Sequence, residues 1–79
     1  MYPAVKKVIP LDDYLLFLVF DNGEKRQFDV KPYLNIGLFK ELKDILLFKT
    51  VRVSFDTVEW QNEIDIDPEI LYADSIKVS

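Results

Sequence analysis

Asp65, Asp67 and Glu69 stand at alternate positions, and Asp12 and Asp13 side by side, so a hard cation held by carboxylate oxygens is the first chemistry this 79-residue chain suggests. A calcium loop of the EF-hand type needs a longer series of oxygen ligands around a central glycine. Here Pro68 and Ile70 interrupt the series and no glycine lies within reach. Asp67 as the cap of a short helix and Asp65 as an outward strand residue account for both without a metal. Fourteen Asp and Glu residues also make chance carboxylate pairs inevitable, and no sequence signal marks any of them as a buried acid or base of a glycosidase type.

The remaining inventory excludes more. With no His and no Cys, the chain lacks the usual neutral-pH proton shuttle, a thiolate nucleophile, a disulfide framework and the common zinc ligands. Ser54, Ser75, Ser79, Thr50 and Thr57 therefore have no His to activate them. The two glycines, Gly23 and Gly37, stand alone and build neither a P-loop nor a dinucleotide fingerprint. No catalytic, metal or cofactor-binding residue is assigned.

Trp60 with Tyr2, Tyr14, Tyr33 and Tyr72 would suit a stacking platform for single-stranded nucleic acid. Strand periodicity from Val58 through Trp60 to Ile64 places the indole in a core instead. The net charge of −4 opposes direct binding to a polyanion, and the basic residues Lys6, Lys7, Lys25, Arg26, Lys40, Lys43, Lys49 and Arg52 are interleaved with acids.

The elements that would position these groups are those of a single domain over residues 1–79, without repeat or linker. An apolar content of 49% supports one modest core. The longest uncharged apolar run, Tyr14 to Phe20, is far shorter than the ~20 residues of a membrane helix, and no signal peptide is recognisable, so a cytoplasmic protein without membrane association is expected.

Val5 to Ile9 reads as an edge strand between Pro3 and Pro10. Tyr14 to Phe20 and Lys25 to Val30 form a hairpin across Asn22-Gly23. A two-residue loop pairs Phe17 with Phe28, whereas a three-residue loop with Gly23 left-handed pairs Leu16 with Phe28. In both registers Tyr14 to Phe20 is apolar on two sides, as suits a central strand covered twice or a contact with another chain.

Leu38, Phe39, Leu42, Leu46 and Leu47 then have helical spacing, with Asp44 as a cap between two short helices that cover one sheet face. Val51, Val53 and Phe55, then Val58 and Trp60, then Ile64 and Ile66 predict three short strands. Asp67-Pro68-Glu69 opens a brief helix that docks Leu71. Ser75 to Ser79 is compatible with an edge strand or a frayed end.

Taken in order, Pro10-Leu11-Asp12-Asp13-Tyr14, Phe20-Asp21-Asn22-Gly23-Glu24, Phe28-Asp29-Val30, Gly37, Phe39, Leu42, Asp44, Phe48, Val51, Val53, Val58-Glu59-Trp60, Asn62, Ile64-Asp65, Pro68 and Leu71-Tyr72 resemble the bacterial domain-of-unknown-function family 2442. The resemblance runs from about Val5 to Tyr72 and rests on turns, caps and core positions. It implies a small α+β domain, found alone or joined to a helix-turn-helix, often beside a small partner gene in toxin–antitoxin-like pairs. It assigns no catalytic residue.

Two departures stand out. Relatives have Pro-Asn-Gly after the tryptophan, where this chain has Gln61-Asn62-Glu63, and relatives are more polar at Leu15, Phe17 and Val19. The lack of a helix-turn-helix implies that operator binding would come through a partner.

The resulting expectation is an α+β fold: a small antiparallel β-sheet of about five to six short strands packed with two to three short helices. The expected role is protein–protein interaction rather than catalysis, as the acidic, antitoxin-like member of a pair with a small basic partner encoded nearby, or with itself as a homo-oligomer. Leu15, Phe17 and Val19 form the candidate interface, with Tyr33 and Phe39 near it. A nucleic-acid-associated module using Lys6, Lys7, Lys25 and Arg26 is the alternative, and a small enzyme without metal or cofactor the third.

Overall fold

The turn at Asp21–Gly23 sets the register on which the sheet depends. In the computed structural model, which describes residues 2–78, Phe20 N–H donates to the Glu24 carbonyl at 2.9 Å and Gly23 N–H to the Phe20 carbonyl at 3.0 Å. Gly23 has φ +88°, a conformation only glycine adopts without strain, so the loop has three residues. β2 (Leu15–Phe20) and β3 (Lys25–Asp29) consequently pair Leu16 with Phe28 and Leu18 with Arg26. Leu16, Leu18 and Phe20 share one face with Phe28 and are fully buried, while Leu15, Phe17 and Val19 lie on the other.

β1 (Val5–Leu11) pairs with β2 in antiparallel fashion and runs two residues past the expected end at Ile9. Pro10 does not stop it, because an edge strand tolerates a residue without an N–H. A tight turn over Asp12–Tyr14 joins the two strands, with Asp13 and Tyr14 at φ 62° and 60°. That corner is anchored from the side chain: the Tyr14 ring meets Phe48 edge-on at 5.2 Å and its hydroxyl donates to the Lys43 carbonyl.

Beyond β3 the chain makes short 3-10 turns at Lys31–Tyr33 and Gly37–Lys43, then α1 (Ile45–Phe48). Asp44 separates the last two as expected, its carboxylate accepting from Leu46 N–H at 3.0 Å. The 3-10 period of three turns Phe39 and Leu42 inward together. It leaves Leu38 67% exposed, and Leu46 on the one-turn α1 is 73% exposed, so neither joins the core stripe that helical spacing suggested.

The next region is a hairpin of β4 (Arg52–Ser54) and β5 (Thr57–Glu59), and the expected third strand is reduced to a single bridge between Glu59 and Asp65. Val51 is half-buried against the core, whereas Phe55, at the hairpin tip with φ 54°, is 99% exposed. Val53, in β4 itself, is also exposed, so the alternating burial expected from Val51, Val53 and Phe55 stops at Val51.

α2 (Pro68–Ala73) begins as the sequence indicates: Asp67 accepts from Glu69 N–H at 2.9 Å, Pro68 takes the first turn, and Leu71 is buried. The tail forms β6 (Ile76–Lys77), an edge strand on β3; Ser79 lies outside the described residues. The architecture is thus a small α+β fold with a four-stranded sheet ordered β1-β2-β3-β6 and a separate β4-β5 hairpin, all pairs antiparallel.

One cluster joins Leu16, Leu18, Phe20, Phe28 and Val30 to Leu42, Phe48, Val58, Trp60 and Leu71. Trp60 is wholly inside it, with Nε1–H donating to the Phe48 carbonyl at 2.9 Å.

The turn after Trp60 is closed by Trp60 N–H to the Ile64 carbonyl and Glu63 N–H to the Trp60 carbonyl, both 2.9 Å. Glu63 sits at φ 70°, where a side chain is strained by roughly 1–2 kcal/mol. Glu63→Gly removes that strain, and the freer unfolded glycine offsets up to about 1 kcal/mol of the gain. The variant is expected to be more stable by several tenths to about 1 kcal/mol, visible as a higher urea midpoint at unchanged slope; a lower midpoint would show that the turn is not strained.

A candidate interaction face

The register makes the second face of the sheet a grid. Directly opposed residues of an antiparallel pair point to the same side, so each row across the strands can be read from the pairing. Lys7, Val19 and Lys25 form one row, continued by Val78, whose N–H donates to the Lys25 carbonyl at 2.8 Å. Ile9, Phe17, Gln27 and Ile76 form the middle row, and Leu11, Leu15 and Asp29 the third. Apolar residues predominate over this face, and Ile76 in its middle row is 71% exposed.

Among the described residues no helix packs here. The partly buried apolar residues that touch the core include Val8, Tyr14, Leu47 and Val51 but not Leu15, Phe17 or Val19. A shallow groove of about 210 Å³ runs beside β6, lined by Leu15, Gln27, Asp29, Asp74, Ile76 and Val78.

The five residues singled out from sequence therefore divide. Leu15, Phe17 and Val19 fall together, half-buried, on this face. Tyr33 and Phe39 do not join them: Tyr33 stacks on Phe28 with ring centres 5.7 Å apart, Phe39 packs on Tyr33 at 5.7 Å, and both belong to the core side. Sequence reasoning did not include Ile9, Leu11, Ile76 and Val78. Their alternation with Pro10 and Lys77 was the available signal, hidden by ending the first strand at Ile9 and leaving the tail undecided.

Charge is unevenly distributed along the grid. Lys7 and Lys25 flank one end, while Asp29 stands at the other with Asp74 beside it in the groove. Lys31 bridges Asp13 and Asp29, each at 3.1 Å. Partial loss of water around its ammonium works against the charge, but the two carboxylates outweigh it and hold the Lys31 pKa above its ordinary value. Three acids against one base leave this end negative.

A polar network fastens β6 and α2 to the hairpin and so completes the face. Arg26 Nε donates to Ser75 Oγ at 2.9 Å, its guanidinium lies 4.3 Å over the Tyr72 ring, and Nη1 meets Glu24 at 3.4 Å. Tyr72 in turn donates its hydroxyl to Glu24 at 2.7 Å. These hydrogen bonds, with that from Asn22, hold the Glu24 carboxyl below its ordinary value of 4.5, the nearby Arg26 and Lys77 charges adding to the effect.

Because the folded pKa lies below the unfolded one, the contribution is complete above about pH 4.5 and disappears as pH falls through the folded value. Glu24→Gln is expected to flatten the loss of stability on acidification below that pH, read from urea midpoints at pH 5.5 down to 3. Equal acid slopes in the two proteins would show that Glu24 is not coupled to folding.

The carboxylates considered as cation ligands are placed otherwise. Asp67 caps α2, Asp65 is exposed beside its bridge to Glu59, and Asp13 pairs with Lys31. Among the described residues no group of three or more potential ligands gathers, and every buried side-chain polar atom has a hydrogen-bond partner. No helix among them is long and apolar enough to cross a membrane.

Residues 5–77, nearly the whole chain, match a family described as protein of unknown function, DUF2442. Neither the curated proteins nor the solved structures contain a match to the chain.

Proposed function

Because the chain belongs to the DUF2442 family, whose description gives no reaction, we propose from its surface that it is a protein–protein interaction domain rather than an enzyme, acting in the cytoplasm. The observation that carries this reading is the apolar array around half-buried Phe17, in which Ile9, Leu11, Ile76 and Val78 are exposed. An antiparallel sheet with one solvated face ordinarily alternates apolar-in with polar-out, and β2 breaks that rule with Leu15, Phe17 and Val19. Contiguous apolar surface of this kind marks a site where another polypeptide docks. Leu15, Phe17 and Val19 are already half-buried, so covering each adds only part of the about 1.5–3 kcal/mol of a full burial.

The net charge of −4 speeds encounter with a basic partner, such as an antitoxin-like role would supply, while the face itself carries both signs, Lys7 and Lys25 at one end and Asp29 at the other, and so also suits a self-complementary contact. The nucleic-acid alternative finds less support, since Arg26 is engaged with Ser75, Glu24 and Tyr72, and Lys7 and Lys25 flank apolar residues.

A photo-crosslinking amino acid placed at Phe17 in the full chain, expressed in the native host, tests the reading. Adducts heavier than the chain are expected from that position and not from Leu46, which is apolar and more exposed than Phe17 but lies on α1. A folded protein that yields no adduct from Phe17 would end the proposal.

A further inference from the structure

Building on the interaction reading, we propose that the occupant of the open face is a second copy of this chain, stacked sheet on sheet about a two-fold axis running across the strands through the middle row. The charges on the face choose that axis. Two copies can close symmetrically face to face about an axis along the strands or about one across them.

An axis along the strands keeps the rows in step and sets the Lys7–Lys25 row of one copy over the same row of the other. An axis across the strands inverts the row order. Lys25 then faces Asp29 of the second copy, since both stand on β3 and lie at equal distances either side of Gln27. The same operation lays Phe17 over Phe17 and Ile9 over Ile9, and it brings Lys7 over the apolar Leu11.

In the first arrangement each row faces only itself and no Lys meets Asp29 wherever the axis lies, whereas the second sets Lys25 over Asp29, twice per dimer because the contact is isologous. The strands of the two sheets stay close to aligned, as sandwiched sheets prefer. The eleven face positions of each copy are fewer than the roughly 20–30 residues a side of a standard interface, so the dimer should dissociate on dilution.

The chain has no cysteine, so one introduced thiol reports the geometry without ambiguity. Gln27→Cys and Lys25→Cys, each checked for an unchanged circular dichroism spectrum, are treated with a short bismaleimide, because the roughly 10 Å between stacked sheets is too wide for a disulfide, at a concentration where light scattering finds the mass of two chains. Gln27→Cys is expected to give a covalent dimer as its main product, since Gln27 faces its own copy, and Lys25→Cys little, since it faces Asp29.

A purified protein that stays a single chain at every concentration reached overturns the second copy as occupant; if Phe17 still gives adducts in cells, the interaction reading itself survives with another partner. A dimer in which both thiols cross-link, or neither does, overturns the axis. A dimer that persists unchanged in Phe17→Asp overturns the face.

Discussion

Trp60→Ala is expected to remove about 3–5 kcal/mol of stability, a large part of what this chain has. At roughly 0.05–0.15 kcal/mol per residue, a domain of 79 residues holds about 4–12 kcal/mol in total. The indole lies wholly inside the core, 6.2 Å from the Phe48 ring, with Leu16, Leu18, Phe28 and Leu71 in the same cluster. Its loss opens a cavity that a small core cannot collapse without moving α1.

Trp60→Phe separates the volume from the hydrogen bond. The Phe48 carbonyl keeps only a long contact of 3.4 Å from Val51 N–H, so this variant should lose about 1–3 kcal/mol. Urea unfolding followed by far-ultraviolet circular dichroism measures both. A Trp60→Ala protein with a midpoint close to the parent's would mean that the indole is not the centre of the core.

The second large effect is a contrast between neighbours. Leu18→Asp is expected to give no folded protein, because a carboxylate without a partner enters a fully buried site, a penalty of several kcal/mol even after it protonates. Phe17→Asp, one residue earlier, is expected to fold with a loss of only about 1–2 kcal/mol, from strand preference and partial burial. That variant should also lose self-association.

Dispersed amide signals in a proton spectrum, compared between the two variants, decide the matter directly. Should Phe17→Asp unfold as Leu18→Asp does, Phe17 is part of the core and the face around it is no docking surface. The opposite result, two folded variants, would put the register itself in error, since Leu16–Phe28 pairing fixes which of the two side chains points inward.

Local signals were legible wherever one residue type meets one backbone need. Asp44 and Asp67 as caps, Pro68 in a first turn, a tight hairpin turn at Asn22-Gly23 and Trp60 in the core all follow from the chain's own order. So did the family, because its pattern consists of such turns and caps. The apolar character of both faces of β2 was equally visible, and with it Leu15, Phe17 and Val19 as a set.

Three outcomes needed the folded molecule. Both loop lengths at Asp21–Gly23 leave Phe28 facing inward, so the hairpin by itself does not say whether even or odd residues of β2 meet it; packing against Phe48, Trp60 and Leu71 does. Tyr33 and Phe39 follow 3-10 turns onto Phe28 rather than the open face, and Phe55 and Leu38, apolar by type, stand in water. The tail became an edge strand because Arg26, Ser75, Tyr72 and Glu24 converge from positions far apart in the chain. Periodicity and capping are properties of a few consecutive residues and survive in the sequence, whereas the choice of face, the covering of a side chain and the length of an edge strand are set by segments that meet only when the chain is folded.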